Sequence, residues 1–116
     1  MDIYHIWCDL KAGEDDWAFA QHVRAFLDHL KAEGRLSGYR VTRCKLGLRP
    51  DGMGEFHIMV ETSDLAQLDA AFRQVAGRDG NTEVLHHAVN SRATGLRFAL
   101  YRDFPDAVRR HGEERF

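Results

Sequence analysis

The chain has 116 residues, of which 44% are hydrophobic and 29% are charged, enough for one globular domain with its own core. Its formal net charge of −2 and pI near 6.4 give no electrostatic basis for nucleic-acid or membrane partners. It has no run of the roughly 20 apolar residues that span a bilayer. Its two cysteines, Cys8 and Cys44, have neither the number nor the spacing of a disulfide framework or a zinc site. We therefore expect a bacterial, cytoplasmic protein with reduced thiols.

The first predicted elements are a strand and a helix. Polar and apolar residues alternate over residues 3–10, which is typical of a strand. Asp15 or Asp16 can cap the helix that follows, because a short carboxylate accepts hydrogen bonds from the free N–H groups of a first helical turn. Apolar residues then recur at helical spacing until Gly34, which suits the left-handed position after a helix.

Two strands joined by a loop are predicted next. The second strand covers residues 36–46, and the third covers 55–62, where β-branched and aromatic residues alternate with polar ones. Between them, Pro50 presets one backbone angle of a turn and Gly52 accepts a positive φ. Residues 36–62 are therefore predicted to form a hairpin with a long loop.

The second half of the chain repeats the helix and strand. Ser63 or Asp64 can cap a second helix that ends at Gly77. A short helix is predicted over residues 82–90, with Thr82 as its cap, and the last strand covers 95–101.

The predicted order is strand, helix, strand, strand, helix, strand, which indicates an α+β, ferredoxin-like fold. Its antiparallel sheet has the order 4-1-3-2 with the helices on one face, so residues 3–10 and 55–62 lie side by side. We expect residues 1–105 to form this single domain. We expect residues 106–116 to be a C-terminal tail, frayed or disordered.

One face of the predicted sheet carries no helix. A tryptophan buries roughly 150–250 Å², and exposing it would forfeit several kcal/mol at about 25 cal/mol per Å². We therefore expect a second copy of the chain to cover this open face and form a two-fold homodimer. The face carries five central residues and two marginal ones: Ile3, His5, Trp7, Met59 and Tyr101, with Glu55 and Arg97 at the margins.

Three segments carry a family resemblance: Tyr4–Leu10, Gly54–Met59 and Phe98–Pro105. They resemble an uncharacterised family of short bacterial proteins within the dimeric α/β-barrel superfamily, and the resemblance covers nearly the whole chain. It implies that two sheets pair into a barrel. The superfamily includes cofactor-independent quinol-type monooxygenases, lactone isomerases, haem-handling enzymes and stress-induced proteins, whereas the family itself has no established activity.

His5 and His57 form the sharpest candidate site. They lie on neighbouring predicted strands, where cross-strand Cβ atoms are about 5 Å apart and diagonal ones about 7–8 Å. A neutral imidazole in an apolar cleft can act as a general base near pH 7, so His57 is the candidate base and His5 its partner. Trp7, Met59 and Tyr101 would form the walls for a flat aromatic ligand. Alternatively, the histidines are satisfied across the dimer interface.

Charged residues complete this hypothesis. Val41 suits the helix-covered face, which places its neighbour Arg40 on the open face. Arg40 and Arg97 are therefore candidates to bind an anionic group of the ligand. The two histidines with Glu55 or Glu61 could form a metal set, but no local spacing enforces it. We predict no metal and no cofactor.

Adjacent histidines at His86 and His87 attract attention but do not predict a metal site. On a helix their side chains point about 100° apart, so they cannot readily bind one ion. One of them could lie over the rim of a pocket.

Two functional hypotheses follow. The first is a homodimer of unknown specific function that serves as a small-molecule or self-association module. The alternative is a cofactor-independent enzyme of the monooxygenase or isomerase kind that acts on an aromatic or quinone-type metabolite. The sequence contains no phosphate-binding loop, nucleophile elbow or nucleotide fingerprint that would favour another chemistry.

Overall fold

The computed structural model describes residues 1–114 and forms four strands and three helices. In chain order they are β1 (Asp2–Leu10), α1 (Asp16–Ala32), β2 (Gly38–Arg43), β3 (Phe56–Thr62), α2 (Leu65–Ala76), α3 (Gly80–Asn90) and β4 (Ala93–Arg102). The strands form one antiparallel sheet in the order β2-β3-β1-β4, which confirms the predicted topology and the ferredoxin-like α+β fold. No helix within residues 1–114 has the length and apolar character that crossing a bilayer requires.

The core lies between the helices and one face of the sheet. Burial alternates along β3, whose even-numbered residues are buried while the odd ones are partly exposed. This alternation follows from the period of two in a strand, which sends neighbouring side chains to opposite faces. The apolar stripe of α1 packs on that face through four buried residues: Phe19, Val23, Leu27 and Leu30.

The first two helices begin where their caps predict. The carboxylate of Asp15 accepts a hydrogen bond from Ala18 N at 2.8 Å, and that of Asp64 accepts one from Gln67 N at 2.8 Å. Each cap satisfies one N–H group of the first turn, which has no partner within the helix. Gly34 has φ +74° just after α1, as predicted for a left-handed terminating position.

The third helix begins earlier than predicted. α3 starts at Gly80, and among the described residues its capping position, Asp79, makes no side-chain hydrogen bond. The prediction that Thr82 caps it is wrong, because Thr82 is buried and its hydroxyl lies 2.9 Å from His29 Nε2 on α1. This contact fixes α3 against α1.

Two strands differ in length by more than one residue from the predictions, which were 36–46 for β2 and 95–101 for β4. β2 ends at Arg43, ahead of a turn in which Leu46 and Gly47 have φ values of +56° and +68°, outside the β region. β4 is longer because it pairs along β1 from Asp2 to Leu10, with an irregularity near Trp7.

The loop between β2 and β3 returns tightly against β1. Glu55 N donates a hydrogen bond to the Asp9 carboxylate at 2.8 Å. Gly54 is buried beside Cys8, and a Cβ on Gly54 would lie 2.5 Å from the Cys8 backbone. Only glycine therefore permits this close approach.

A buried ionic cluster ties the two ends of the domain together. Asp2 is 4% exposed, and its carboxylate accepts a hydrogen bond from Arg102 Nε at 2.5 Å. Arg102 also donates to Asp106 at 2.6 Å, while Thr62 donates to the Asp2 carbonyl at 2.9 Å.

The C-terminal tail leaves the domain at this cluster. Its described part, residues 106–114, contains turns and bends, with Asp106 N bonded to the Glu114 carboxylate. The predicted domain boundary at 105/106 stays a prediction, and the prediction for residues 115–116 lies outside the described residues.

Candidate functional site

An aromatic cluster occupies the open face of the sheet. His5 and Trp7 project from β1, His57 from β3 and Tyr101 from β4. His5 Nδ1 and His57 Nε2 lie 2.9 Å apart and share a hydrogen bond. The Trp7 ring stacks on His57 at 4.4 Å between centroids, and Tyr101 meets His5 edge-on at 5.1 Å. The structure therefore brings together the two histidines that sequence spacing singled out.

The other three predicted site residues lie around this cluster. Met59 is directly opposite His5 on one side and Arg40 on the other. Arg97 is opposite Trp7 on β4, and its guanidinium donates to the Gly52 carbonyl at 3.2 Å. Arg40 and Arg97 lie on the two edge strands of the sheet, three strand spacings or about 14 Å apart.

Burial keeps both histidines of the pair neutral. Desolvation lowers the pKa of His5 below its ordinary value of 6.5. Desolvation lowers the pKa of His57 as well, and the neighbouring His5 lowers it further. A hydrogen bond between two imidazoles also requires one ring nitrogen to accept, which only a neutral ring can do. The pair is therefore uncharged near pH 7 and can pass a proton between its rings.

A cavity of about 290 Å³ lies between the opposite face of the sheet and the helices. Five aromatic side chains line it: Tyr4, Phe19, Phe26, Phe72 and Phe98. It opens to solvent at the β4 edge, where Phe72 is 46% exposed and Phe98 is 56% exposed. None of the seven predicted site residues, all of which the structure describes, lines this cavity.

Polar side chains reach the cavity from α3. His86 and Asn90 are one helical turn apart and both line it. The His86 ring packs against Phe26 of α1 at 5.5 Å between centroids. Burial lowers the pKa of His86 below 6.5, opposed in part by Glu83. The cavity thus combines apolar walls with a neutral imidazole.

The family of the chain is evident from comparison along its whole length. Residues 1–116 match DUF6614, a family of unknown function. The chain belongs to this family. The predicted resemblance to an uncharacterised family is thereby confirmed, and no curated protein matches the chain.

Solved structures similar to this DUF6614 protein share its fold at low sequence identity. A dimeric ferredoxin-like protein of unknown function from Jannaschia sp. CCS1 is 15% identical, with a TM-score of 0.63 over 89% of this chain and 100% of that chain. A second dimeric ferredoxin-like protein of unknown function, from Thermobifida fusca, is 18% identical, with a TM-score of 0.54 over 87% of this chain and 90% of that chain. SnoaB, a cofactor-independent oxygenase from Streptomyces nogalater, is 10% identical, with a TM-score of 0.63 over 93% of this chain and 97% of that chain.

Sequence reasoning on this DUF6614 protein missed the polar wall of the cavity. It noted that one of His86 and His87 could lie over a pocket rim, but it did not identify which. The usable signal is the spacing of Glu83, His86 and Asn90 at i, i+3 and i+7, which places them on one helix face. Within residues 1–114, no group of three or more His, Cys, Asp or Glu side chains is placed to hold a metal ion.

Proposed function

We propose that this DUF6614 protein is a homodimer that binds an apolar small molecule between its sheet and its helices. The observation that carries the proposal is the cavity of about 290 Å³, walled by aromatic and aliphatic side chains and open at one edge. Ligand sites are typically concave and mostly apolar, with few polar groups, and begin near this volume. Protein interiors otherwise pack without voids of this size.

Binding of a neutral aromatic probe tests the cavity. We expect N-phenyl-1-naphthylamine to gain fluorescence with the wild-type protein, because the probe leaves water for an apolar site. Ala71 is buried and lines the cavity on α2, so Ala71→Phe should fill the site and abolish the gain. Ala66→Phe is the matched control, since Ala66 is exposed on the same helix. Equal fluorescence from all three proteins would contradict the proposal.

The dimer is proposed to pair through the open sheet face. Tyr101 is 63% exposed there, beside the stacked His5, Trp7 and His57 rings. The radius of gyration is 15.4 Å, compared with about 13 Å expected for a compact domain of this length. The extents of 52 × 38 × 18 Å describe a thin slab, which a second sheet would thicken. The dimeric descriptions of similarly folded proteins support a dimer.

Light scattering during size-exclusion chromatography tests the dimer. We expect the wild type to have twice the 13.3 kDa mass of the chain. Met59→Glu combined with Tyr101→Glu should give the monomer mass, because like charges would face each other across a desolvated interface. Val84→Glu is the control, since Val84 is 66% exposed on α3 and lies away from that face. A monomeric wild type at micromolar concentration would refute the pairing.

An enzyme acting on aromatic or quinone-type metabolites is the second candidate. The neutral, hydrogen-bonded His5–His57 pair favours it, because such a pair can take up and release a proton near pH 7. SnoaB, described as a cofactor-independent oxygenase, has a similar fold. A substrate could reach this pair only where no second copy covers the open face. The catalytic roles of His57 and His5, and the ligand roles of Trp7, Met59, Arg40, Arg97 and Tyr101, therefore stay predictions.

The cysteines support a reducing compartment. Cys8 and Cys44 are unpaired, and Cys8 is buried. Desolvation raises the pKa of Cys8 to about 11, with a further contribution from Asp9, so its thiol stays protonated and unreactive. These features agree with the bacterial cytoplasm that we propose as its location.

A further inference from the structure

We propose that Glu83, His86 and Asn90 form a proton-accepting site for an aromatic ligand that carries an acidic hydroxyl group, such as a phenol or an enol. The inference rests on the proposed binding function and names the ligand class of the same cavity. Three features of α3 carry it: an imidazole in the cavity wall, a carboxylate behind the imidazole and an amide at the next turn.

The imidazole lies where a ligand would meet it. His86 lines the cavity, and its side chain is 27% exposed in the absence of a ligand. Its ring packs against Phe26, another wall residue, so the ring is held between the wall and the cavity. Within residues 1–114, no hydrogen bond engages its Nε2 atom. A ligand in the cavity therefore finds one ring nitrogen available.

One oxygen of the carboxylate behind the ring lacks a hydrogen-bond partner among the described residues. Glu83 Oε2 is buried, and within the described residues it makes no hydrogen bond. It lies 3.9 Å from His86 Nδ1, too far for a hydrogen bond but close enough for a favourable charge interaction. A buried carboxylate oxygen without a donor is costly. Protonation of His86 would supply a cationic partner at this position.

The surroundings of His86 keep its imidazole neutral until a ligand donates a proton to it. Burial lowers the pKa of His86 most, Arg78 and His87 lower it further, and Glu83 raises it in part, so that the net effect is a lowered pKa. Phe26 of α1 contributes no charge. The imidazole is therefore neutral near pH 7 and acts as an acceptor.

An acidic hydroxyl group satisfies each member of the site. Its O–H donates to Nε2 of His86 while its ring lies against the aromatic walls. If the proton transfers, the O–H bond breaks and an N–H bond forms on Nε2, which leaves an oxyanion beside an imidazolium. Glu83 then stabilises the imidazolium, and the amide of Asn90 can donate to the oxyanion. No oxidant or other co-reactant takes part.

Two matched probes test the inference by titration calorimetry. 2-Naphthol has the acidic hydroxyl, and 2-methoxynaphthalene has nearly the same shape but cannot donate a proton. We expect the wild type at pH 7.5 to bind 2-naphthol about tenfold more tightly, the effect of one hydrogen bond in a desolvated site. His86→Phe should bind both probes with equal affinity. His87→Phe changes the adjacent, exposed histidine and should keep the preference.

The outcomes separate this inference from the proposed function. Glu83→Gln should give an intermediate preference, because it keeps the shape but removes the charge behind the ring. Wild-type protein that binds both probes equally would overturn the inference and leave the proposed binding function intact. Failure to bind either probe would overturn both. If circular dichroism shows that His86→Phe does not fold, Glu83→Gln still tests the inference. A preference of Glu83→Gln for 2-naphthol equal to that of the wild type would count against the site.

Discussion

Gly54→Ala is expected to lower the free energy of unfolding by about 3 kcal/mol or more. The added Cβ would lie 2.5 Å from the backbone carbon and oxygen of Cys8 and 2.6 Å from its nitrogen. Backbone cannot rotate aside as a side chain can, so the loop before β3 would have to move away from β1. Urea unfolding followed by circular dichroism measures the loss.

A second glycine provides the control for this prediction. Gly77 has φ −62°, and a Cβ there would lie 3.4 Å from the nearest backbone oxygen, an ordinary contact. Gly77→Ala should therefore change stability by less than about 1 kcal/mol. If Gly54→Ala were as stable as Gly77→Ala, the close approach of the β2–β3 loop to β1 would be incorrect.

Arg102→Met is expected to destabilise the domain by clearly more than the loss of an exposed ion pair does. The change removes the cation that pairs with Asp2, whose side chain is only 5% exposed, and with Asp106, whose side chain is 15% exposed. Both carboxylates would then lose this cation, and Asp106 would keep the hydrogen bond from Val108 N at 3.1 Å. Arg102 is itself 44% exposed, and water that enters after its removal keeps the loss below that of a fully buried pair. Thermal and urea unfolding at pH 7 measure the change.

An exposed ion pair of the same type is the control. Arg73 pairs with Asp69 at 2.7 Å on the surface of α2, where their side chains are 82% and 62% exposed. Arg73→Met should cost less than about 1 kcal/mol, since exposed pairs contribute little. Equal losses for Arg73→Met and Arg102→Met would indicate that the Asp2 cluster contributes no more than a surface pair.

The fold was predictable because its signals are local. The alternation of polar and apolar residues over 55–62 is typical of a half-buried strand. Asp15 and Asp64 cap helices through hydrogen bonds to residues three positions away. The end of β2 was not predictable, because Leu46 adopts a positive φ that its side chain does not favour. The start of α3 was missed for a different reason, since Thr82 bonds to His29, 53 residues away.

The two faces of the sheet differ in how much the sequence reveals. His5 and His57 were placed together because strand pairing alone brings them within reach. The cavity depends on the distance between the helices and the sheet, which the hydrophobic periodicity of the sequence does not predict. Whether His86 or His87 lines the cavity depends on the rotation of α3, set by its packing against Phe26. Long-range packing therefore determines the cavity residues.

The cavity has a consequence for the lifetime of the protein. An unfilled apolar void costs roughly 24 cal/mol per Å³ in a protein core, so 290 Å³ represents several kcal/mol, reduced where the mouth admits water. That is a large fraction of the roughly 5–15 kcal/mol that holds a small domain folded. A bound molecule would complete the core and lower the unfolded fraction on which proteases act. The abundance of the protein in the cell would then follow the concentration of its ligand.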